Sequence, residues 1–214
     1  MSAIDKFDRL AHGYAAHDYA DPQRYSARRA EVALGLGPSL APGATVLDLA
    51  CGDANMAEPL LARGLRYRGI DGSTAMIEEA RARLGDSVSL EVARLDEYEP
   101  PEPVDLTLCL RAFYYAPDRR AFFRRIAAYT RVKLVFDFDP RVYDRDEIVR
   151  DLQAGGFDRV ELRPFFLPQR VALPGPVRAG VQALEGAGPL ARAALRVRGI
   201  WFCAASSAAS PGRT

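Results

Sequence analysis

Thr45-Val46-Leu47-Asp48-Leu49-Ala50-Cys51-Gly52-Asp53-Ala54-Asn55 is the stretch that decides the fold. Val46 to Leu49 reads as a short buried strand with a carboxylate, Asp48, near its end. Ala50, Gly52 and Ala54 make a turn of small side chains, and Met56 to Arg63 has helical character. A strand feeding a small-residue loop and then a helix is how α/β proteins turn backbone N–H groups toward a ligand. The next strand, Tyr67 to Ile70, closes on a second carboxylate, Asp71. It stands roughly 20 residues on, the separation at which an acidic side chain reaches a ribose. A dinucleotide site would need G-x-G-x-x-G, which is absent, and Asp48 would repel a pyrophosphate.

Asp48-Leu-Ala-Cys-Gly-Asp-Ala54, followed by Gly69-Ile-Asp-Gly-Ser-Thr-Ala-Met-Ile77, resembles the first and second-strand motifs of class I S-adenosylmethionine-dependent methyltransferases of the small-molecule type. Only Gly52 keeps a family glycine, and Ala50 and Ala54 stand where two others often stand. The loop needs small side chains more than it needs glycine as such. The resemblance implies an α/β, Rossmann-like fold with a seven-stranded, mostly parallel sheet and an antiparallel last strand. It also implies an N-terminal helical lid, a helical insert before the last strand, and S-adenosyl-L-methionine as cofactor. The implied activity is methyl transfer to an oxygen or nitrogen of a small molecule, a specialised metabolite among the candidates. The alternative on the same scaffold is cofactor binding without transfer, in a cyclase, a rearrangement enzyme or a binding partner.

The same resemblance distributes the site. The N–H groups of the loop from Ala50 through Cys51 and Gly52 to Ala54 would receive the methionyl carboxylate, helped by the positive end of the next helix. Asp48 would meet the methionyl ammonium, directly or through water, or else cap that helix. Asp71 would accept both ribose hydroxyls, or else cap the helix that starts near Thr74. Gly72, Met76 and Ile77 would flank the adenine, whose edge goes either to Asp96 or to the backbone around Leu95. Leu110, at the end of the fourth strand, borders the cofactor. Tyr14, in the lid segment Phe7 to Tyr14, would pack on the cofactor, or else anchor its helix to the core.

Arg111 could bind an acidic or carbonyl group of the acceptor, or pair with a neighbouring carboxylate. Phe113, Tyr114 and Tyr115 offer an aromatic wall with at least one ring in the core, and Tyr115 joins the catalytic candidates. The Asn-Pro-Pro-Tyr tetrad of amino-methylating enzymes is missing. His12 and His17 are the only histidines. Their spacing puts them on different helix faces, so no metal site is expected. His17 is the better candidate base, a solvated surface histidine is the alternative, and Asp137 and Asp139 are further candidates.

A net charge of +1 gives no field to draw in nucleic acid or an anionic membrane. The three cysteines are odd in number and widely spaced, which reads as small buried hydrophobes in a cytoplasmic protein. No apolar run approaches membrane length. The expected partner is a small-molecule substrate, with a homodimer open. Residues 1–42 read as the lid and 43–206 as the cofactor-binding α/β domain. An insert at 172–198 either roofs the substrate pocket or makes a dimer contact, and 207–214 reads as a disordered tail. Within the α/β domain, strands Val46–Leu49, Tyr67–Ile70, Val88–Val92, Val104–Leu110, Val132–Phe138 and Val160–Phe166 alternate with helices, and Ile200–Ala205 comes last.

Overall fold

The computed structural model describes residues 3–11 and 18–207. Two helices come first, α1 (Ala3–Leu10) and α2 (Pro22–Gly35). The alternating part runs β1 (Thr45–Leu49), α3 (Ala57–Leu61), β2 (Arg66–Asp71), α4 (Thr74–Leu84), β3 (Ser89–Val92) and β4 (Val104–Cys109). It continues with α5 (Arg119–Tyr129), β5 (Thr130–Phe138), α6 (Arg145–Gly155) and β6 (Arg159–Phe165). Two further helices, α7 (Gly175–Glu185) and α8 (Pro189–Leu195), precede β7 (Ile200–Ser206).

The strands form one seven-stranded sheet in the order β3-β2-β1-β4-β5-β7-β6. β1 pairs in parallel with both β2 and β4, while β7 runs antiparallel between β5 and β6. The fold is therefore the Rossmann-like α/β arrangement with an antiparallel last strand. Strand order reverses between β1 and β4, and ligands in open α/β sheets bind beyond the strand ends at that point.

Local chemistry explains where the helices start. Asp21 accepts the Arg24 N–H at 3.0 Å, Ser73 accepts that of Met76 at 3.2 Å, and Asp144 accepts those of Asp146 and Glu147. Each satisfies a donor that a helix start otherwise leaves unpaired. α3 is shorter than the sequence pattern suggests. Pro59 supplies no N–H, and Gly64 at φ 74° turns the chain before another full turn can form. β5 begins at Thr130 with no loop after α5, two residues earlier than the apolar run implies, because Thr130 both caps α5 and pairs with Val104.

The sheet is covered on both faces. Val46, Leu106, Leu108 and Val135 pack with α2 and α3 on one side, and Leu47, Leu49, Leu134 and Phe136 pack with α5 and α6 on the other. Two-sided burial is why these strands read as continuous apolar runs. Lys133, fully buried in β5, donates to the carbonyls of Leu34 at 2.9 Å and Leu36 at 2.6 Å, closing the C-terminal end of α2. Burial lowers its amine to about 8.

Helix α7 is tied to α2. The buried Glu185 of α7 accepts from Arg28 of α2 and from the Phe166 N–H at 3.3 Å, and Arg163 approaches it at 3.7 Å. Tyr14, His12 and His17 lie outside the described residues, as does the tail beyond Ser207.

Candidate active site

A pocket of about 410 Å³ opens beyond the ends of β1, β2 and β4. That is the size range of small-ligand sites. Ala50, Cys51 and Gly52 form one wall, and Ala50, Gly52 and Ala54 take φ values of 55°, 60° and 56°. The loop thus adopts left-handed backbone at the two alanines as well as at the glycine, at a cost of about 1 kcal/mol each.

Asp71 lines the pocket from the tip of β2. Its Oδ2 accepts the Gly52 N–H at 2.8 Å and its Oδ1 accepts the Ser73 N–H at 2.8 Å. Burial pushes its carboxyl up, and those two N–H groups pull it back. Ser73, not Asp71, caps α4 at Met76. Gly72, Met76, Leu95, Asp96 and Leu110 share the same pocket, with Asp96 held by Arg94 at 2.9 Å. Ile77 is wholly buried and is not part of the lining. The next-turn geometry of α4 puts Met76 alone on the pocket side. Ile4, Phe7 and Leu10 of α1 add an apolar edge, and the Asp8 carboxylate accepts the Ser73 hydroxyl at 2.6 Å.

Asp48 does not cap the helix that follows β1. It is 3% exposed and is not in the pocket lining. Its Oδ2 accepts the Tyr67 hydroxyl at 2.8 Å, a side chain of the neighbouring strand. Burial raises its carboxyl to about 7, against the pull of Tyr67 and Arg29. Three N–H groups of the loop have partners within the protein. Cys51 donates to the Ile70 carbonyl at 2.8 Å, Gly52 to Asp71, and Ala54 to the Cys51 carbonyl at 3.0 Å. They are engaged inside the protein, and α3 is too short to add much of a dipole.

The far side of the pocket is arginine-rich. Arg111 follows β4 at φ 60°, its N–H donates to Asp137 at 2.5 Å, and its guanidinium reaches the Gln169 amide oxygen. Tyr115 and Tyr114 line the pocket at 39% and 43% exposure, whereas Phe113 is the core ring of the three. The Phe7 and Tyr115 rings meet edge-on at 6.3 Å. Asp137 is 2% exposed and bound to Arg29 and to the Arg111 N–H, while Asp139 sits on Arg141, whose hydrogen bonds pull its carboxyl down. Neither lines the pocket.

Residues the sequence reading passed over are Tyr19, Arg29 and Arg170, which also line the pocket. Arg29 carried a signal. It interrupts the apolar stripe of α2 between Tyr25 and Val32, and a charge on a buried stripe asks for a partner. Arg170 pairs with Asp18 at 2.5 Å across the mouth, and the Ala20 N–H donates to the Gln169 carbonyl at 3.0 Å. Helices α7 and α8 contribute nothing to the described lining. The expected roof is instead the segment that leads into them.

The doubly wound sheet with an antiparallel last strand is the Rossmann-like fold of the class I S-adenosylmethionine-dependent methyltransferases, and here it carries an acidic β2 tip beside a small-residue β1 loop. Residues 46–133 match the model of the methyltransferase-domain family. Over 115 residues the chain is 32% identical to trans-aconitate 2-methyltransferase of Rhizobium meliloti, covering 53% of this chain and 44% of that protein. The chain spans between about a third and a half of the length of the curated relatives it matches.

Among solved structures, one neighbour is the complex of the Haloferax volcanii Trm112 methyltransferase activator with a methyltransferase. It aligns at TM-score 0.70 and 22% identity, over 96% of this chain and 99% of that one. The [4+2]-cyclase SpnF aligns at TM-score 0.68 and 14% identity, over 95% and 94%. Magnesium protoporphyrin IX methyltransferase from Synechocystis PCC 6803, solved with bound S-adenosylmethionine, aligns at 0.59 and 19%, over 97% and 85%. The cofactor of this class is S-adenosyl-L-methionine. The residues present fit it: a pinned carboxylate for a diol, apolar Met76 and Leu95 for a purine, and open space at Gly52 where a Cβ would meet nothing within 4 Å.

Proposed function

We propose that the chain is a methyltransferase that moves the cofactor's methyl group to an oxygen or nitrogen of a small acidic molecule. The observation that carries this reading is one pocket with the pinned Asp71 on one side of β1 and the arginines Arg29, Arg111 and Arg170 on the other. Asp71 would hold the ribose, Met76, Gly72 and Leu95 the adenine faces, and Asp96 or the Leu95 backbone its edge. Residues 1–42 would act as the lid, with Tyr14 against the cofactor. The relative from Rhizobium meliloti, by its name, makes a carboxylic acid the first acceptor to try.

When bound, the cofactor supplies a methyl already activated by its sulfonium. The chain then has three tasks: to hold the nucleophile in line, to exclude water, and to keep the acceptor from rotating. Arg111 and Arg170 suit the orientation of an anion, and the Tyr114 and Tyr115 rings suit a cationic sulfur alongside. A carboxylate acceptor is ionised at neutral pH and asks for no base. That agrees with Asp137 being committed to Arg29 and Arg111, and it makes His17 dispensable.

Purified protein incubated with methyl-labelled cofactor and a panel of small carboxylic acids, trans-aconitate first, tests the reading. Label recovered in a methyl ester or an N-methylated acid supports it, and label recovered only in non-acidic or macromolecular products removes the acidic acceptor. The second reading, cofactor binding without transfer, is favoured by the likeness to a cyclase over nearly the whole chain. Its signature is a rearranged product that carries no label.

A further inference from the structure

Helices α7 and α8 pack beside β6, the strand at one edge of the sheet, and line no part of the large pocket. They expose charge of one sign and a row of apolar side chains. Residues 172–198 hold four arginines, Arg178, Arg192, Arg196 and Arg198, and a single acid, Glu185. Glu185 is buried and committed to Arg28, so no acidic group of this segment reaches the surface. The chain as a whole is balanced at 29 basic and 28 acidic residues, and its net charge of +1 hides this concentration. Arg192, Arg196 and Arg198 are exposed and pair with no acid among the described residues.

The apolar row lies between these charges. Leu190 is 68% exposed and Val197 79%, although large aliphatic side chains usually go inside. They stand about two helical turns apart, and the Val197 N–H continues the helical bonding to the Ala194 carbonyl at 3.0 Å. Ala191 and Leu195 are buried, which sets Leu190 and Val197 on the outward side, flanked by Arg192 and Arg196 one turn apart. Exposed Val177 of α7 extends the row, and no exposed residue of α7 has a polar side chain. Exposed Val142 extends it further, next to the Arg141 that donates to the Val197 carbonyl at 3.1 Å.

We propose that the α7–α8 hairpin docks on an anionic lipid bilayer, with Leu190 and Val197 entering the headgroup boundary and Arg192, Arg196 and Arg198 meeting lipid phosphates. Cations beside exposed aliphatic side chains are the pattern of helices that lie in a membrane interface. Charge decides among the occupants. A second copy of the chain would meet this face through a two-fold contact, patch on patch, and so set arginines against arginines. A nucleic acid held by stacking needs aromatic rings, and residues 172–198 contain none. No helix among the described residues is long and apolar enough to cross a membrane, so the contact lies along the bilayer surface.

Co-sedimentation of the whole chain with vesicles tests this, using phosphatidylcholine alone and phosphatidylcholine mixed with phosphatidylglycerol. Wild type should pellet with the anionic vesicles only, and salt at about 1 M should release it, because the Debye length then shrinks to ~3 Å. The triple variant Arg192→Gln, Arg196→Gln, Arg198→Gln should lower partition by on the order of a hundredfold, about fivefold per arginine. Leu190→Ser with Val197→Ser should lower it by about tenfold or more at unchanged charge. Should the triple variant not fold, Arg192→Gln alone is read for its fivefold loss.

The proposal is overturned if wild type pellets with neither vesicle, or with both alike. It is also overturned if the arginine variant keeps wild-type partition, which would put the contact elsewhere on the chain. Unchanged partition of Leu190→Ser with Val197→Ser overturns it too, since charge without insertion is contact with any polyanion. A dimer that Leu190→Ser disperses, with no pelleting, gives the face to a second copy instead.

Discussion

Two aspartates end adjacent strands of the same sheet, and the structure treats them in opposite ways. Asp71, at the tip of β2, is held open to the pocket by the N–H groups of Gly52 and Ser73, each at 2.8 Å. Asp48, one residue short of the end of β1, is closed under the loop and held by the Tyr67 hydroxyl. Backbone donors fix a carboxylate and leave oxygen lone pairs for a ligand, since each oxygen accepts more than one bond. A phenol on the neighbouring strand draws the other carboxylate inward. What separates a binding residue from a buried one here is the next strand's side chain, not the acidic residue or its position in the motif.

Asp71→Ala gives the largest expected effect. It removes the proposed ribose acceptor and orphans two N–H groups at once. Affinity for S-adenosylhomocysteine should fall by about a hundredfold or more, and the melting free energy by roughly 2–4 kcal/mol. Calorimetry and denaturant melts read the two separately. Asp48→Asn should behave differently, with affinity for the same ligand within about threefold of wild type. A hundredfold loss there would return Asp48 to the cleft and erase the contrast.

Asp48 also gives the comparison a pH signature. Its folded carboxyl titrates near 7 and an unfolded aspartate near 3.8, so the raised value lies on the folded side. Between about pH 4 and 7 the folded chain keeps a proton that the unfolded chain releases. This contribution to stability is therefore present at low pH and is lost as pH rises through that window. Asp48→Asn cannot ionise, so its stability curve should lack that decline and should lie above wild type at pH 8 by on the order of 2–4 kcal/mol. Urea melts at pH 5 and pH 8 measure the difference, and parallel curves for the two proteins would contradict it.

The floor that buries Asp48 has its own weak point at Gly69. A Cβ there would come within 2.8 Å of the Cys51 sulfur, 3.0 Å of Leu90 and 3.0 Å of the Tyr67 ring. Gly69→Ala should cost about 1–3 kcal/mol by overpacking. It should also push Tyr67 off Asp48; because that hydroxyl pulls the carboxyl down, its loss raises the carboxyl further and deepens the same pH decline. A variant with wild-type stability and an unchanged pH profile would mean that the floor is looser than these distances imply.

Most of the fold was legible because its signals are local. Apolar runs such as Val46–Leu49 and Val104–Leu110 end in small or polar residues, and Asp21 and Asp144 announce the helices they cap. The turn at Asp71 was legible only in part, through Ser73 two residues on, while Gly52 stands 19 residues away on the loop of the neighbouring strand. The burial of Asp48 was not legible, because it depends on a tyrosine of another strand meeting it across the sheet. Arg29 escaped for a similar reason. Its partner, Asp137, is 108 residues away in sequence, and only the packing of α2 against the end of β5 brings the two together. The spent N–H groups of the loop were also invisible, since their acceptors are fixed by the register of β1 on β2.

The smallest effects separate the two alanines of the loop. Both hold φ near 55°, where glycine is at ease and a Cβ costs about 1 kcal/mol. Glycine substitution removes that strain but gives the unfolded chain more freedom, an opposing cost of about 0.4–1 kcal/mol. Ala50 is half-buried and loses little else, so Ala50→Gly should be neutral to stabilising by up to about 1 kcal/mol. Ala54 is fully buried, and its methyl contributes about 0.8 kcal/mol of burial, so Ala54→Gly should be destabilising by up to roughly 1 kcal/mol. Thermal melts of the two variants side by side decide the matter. If Ala54→Gly proved the more stable of the pair, backbone strain would outweigh packing in this loop.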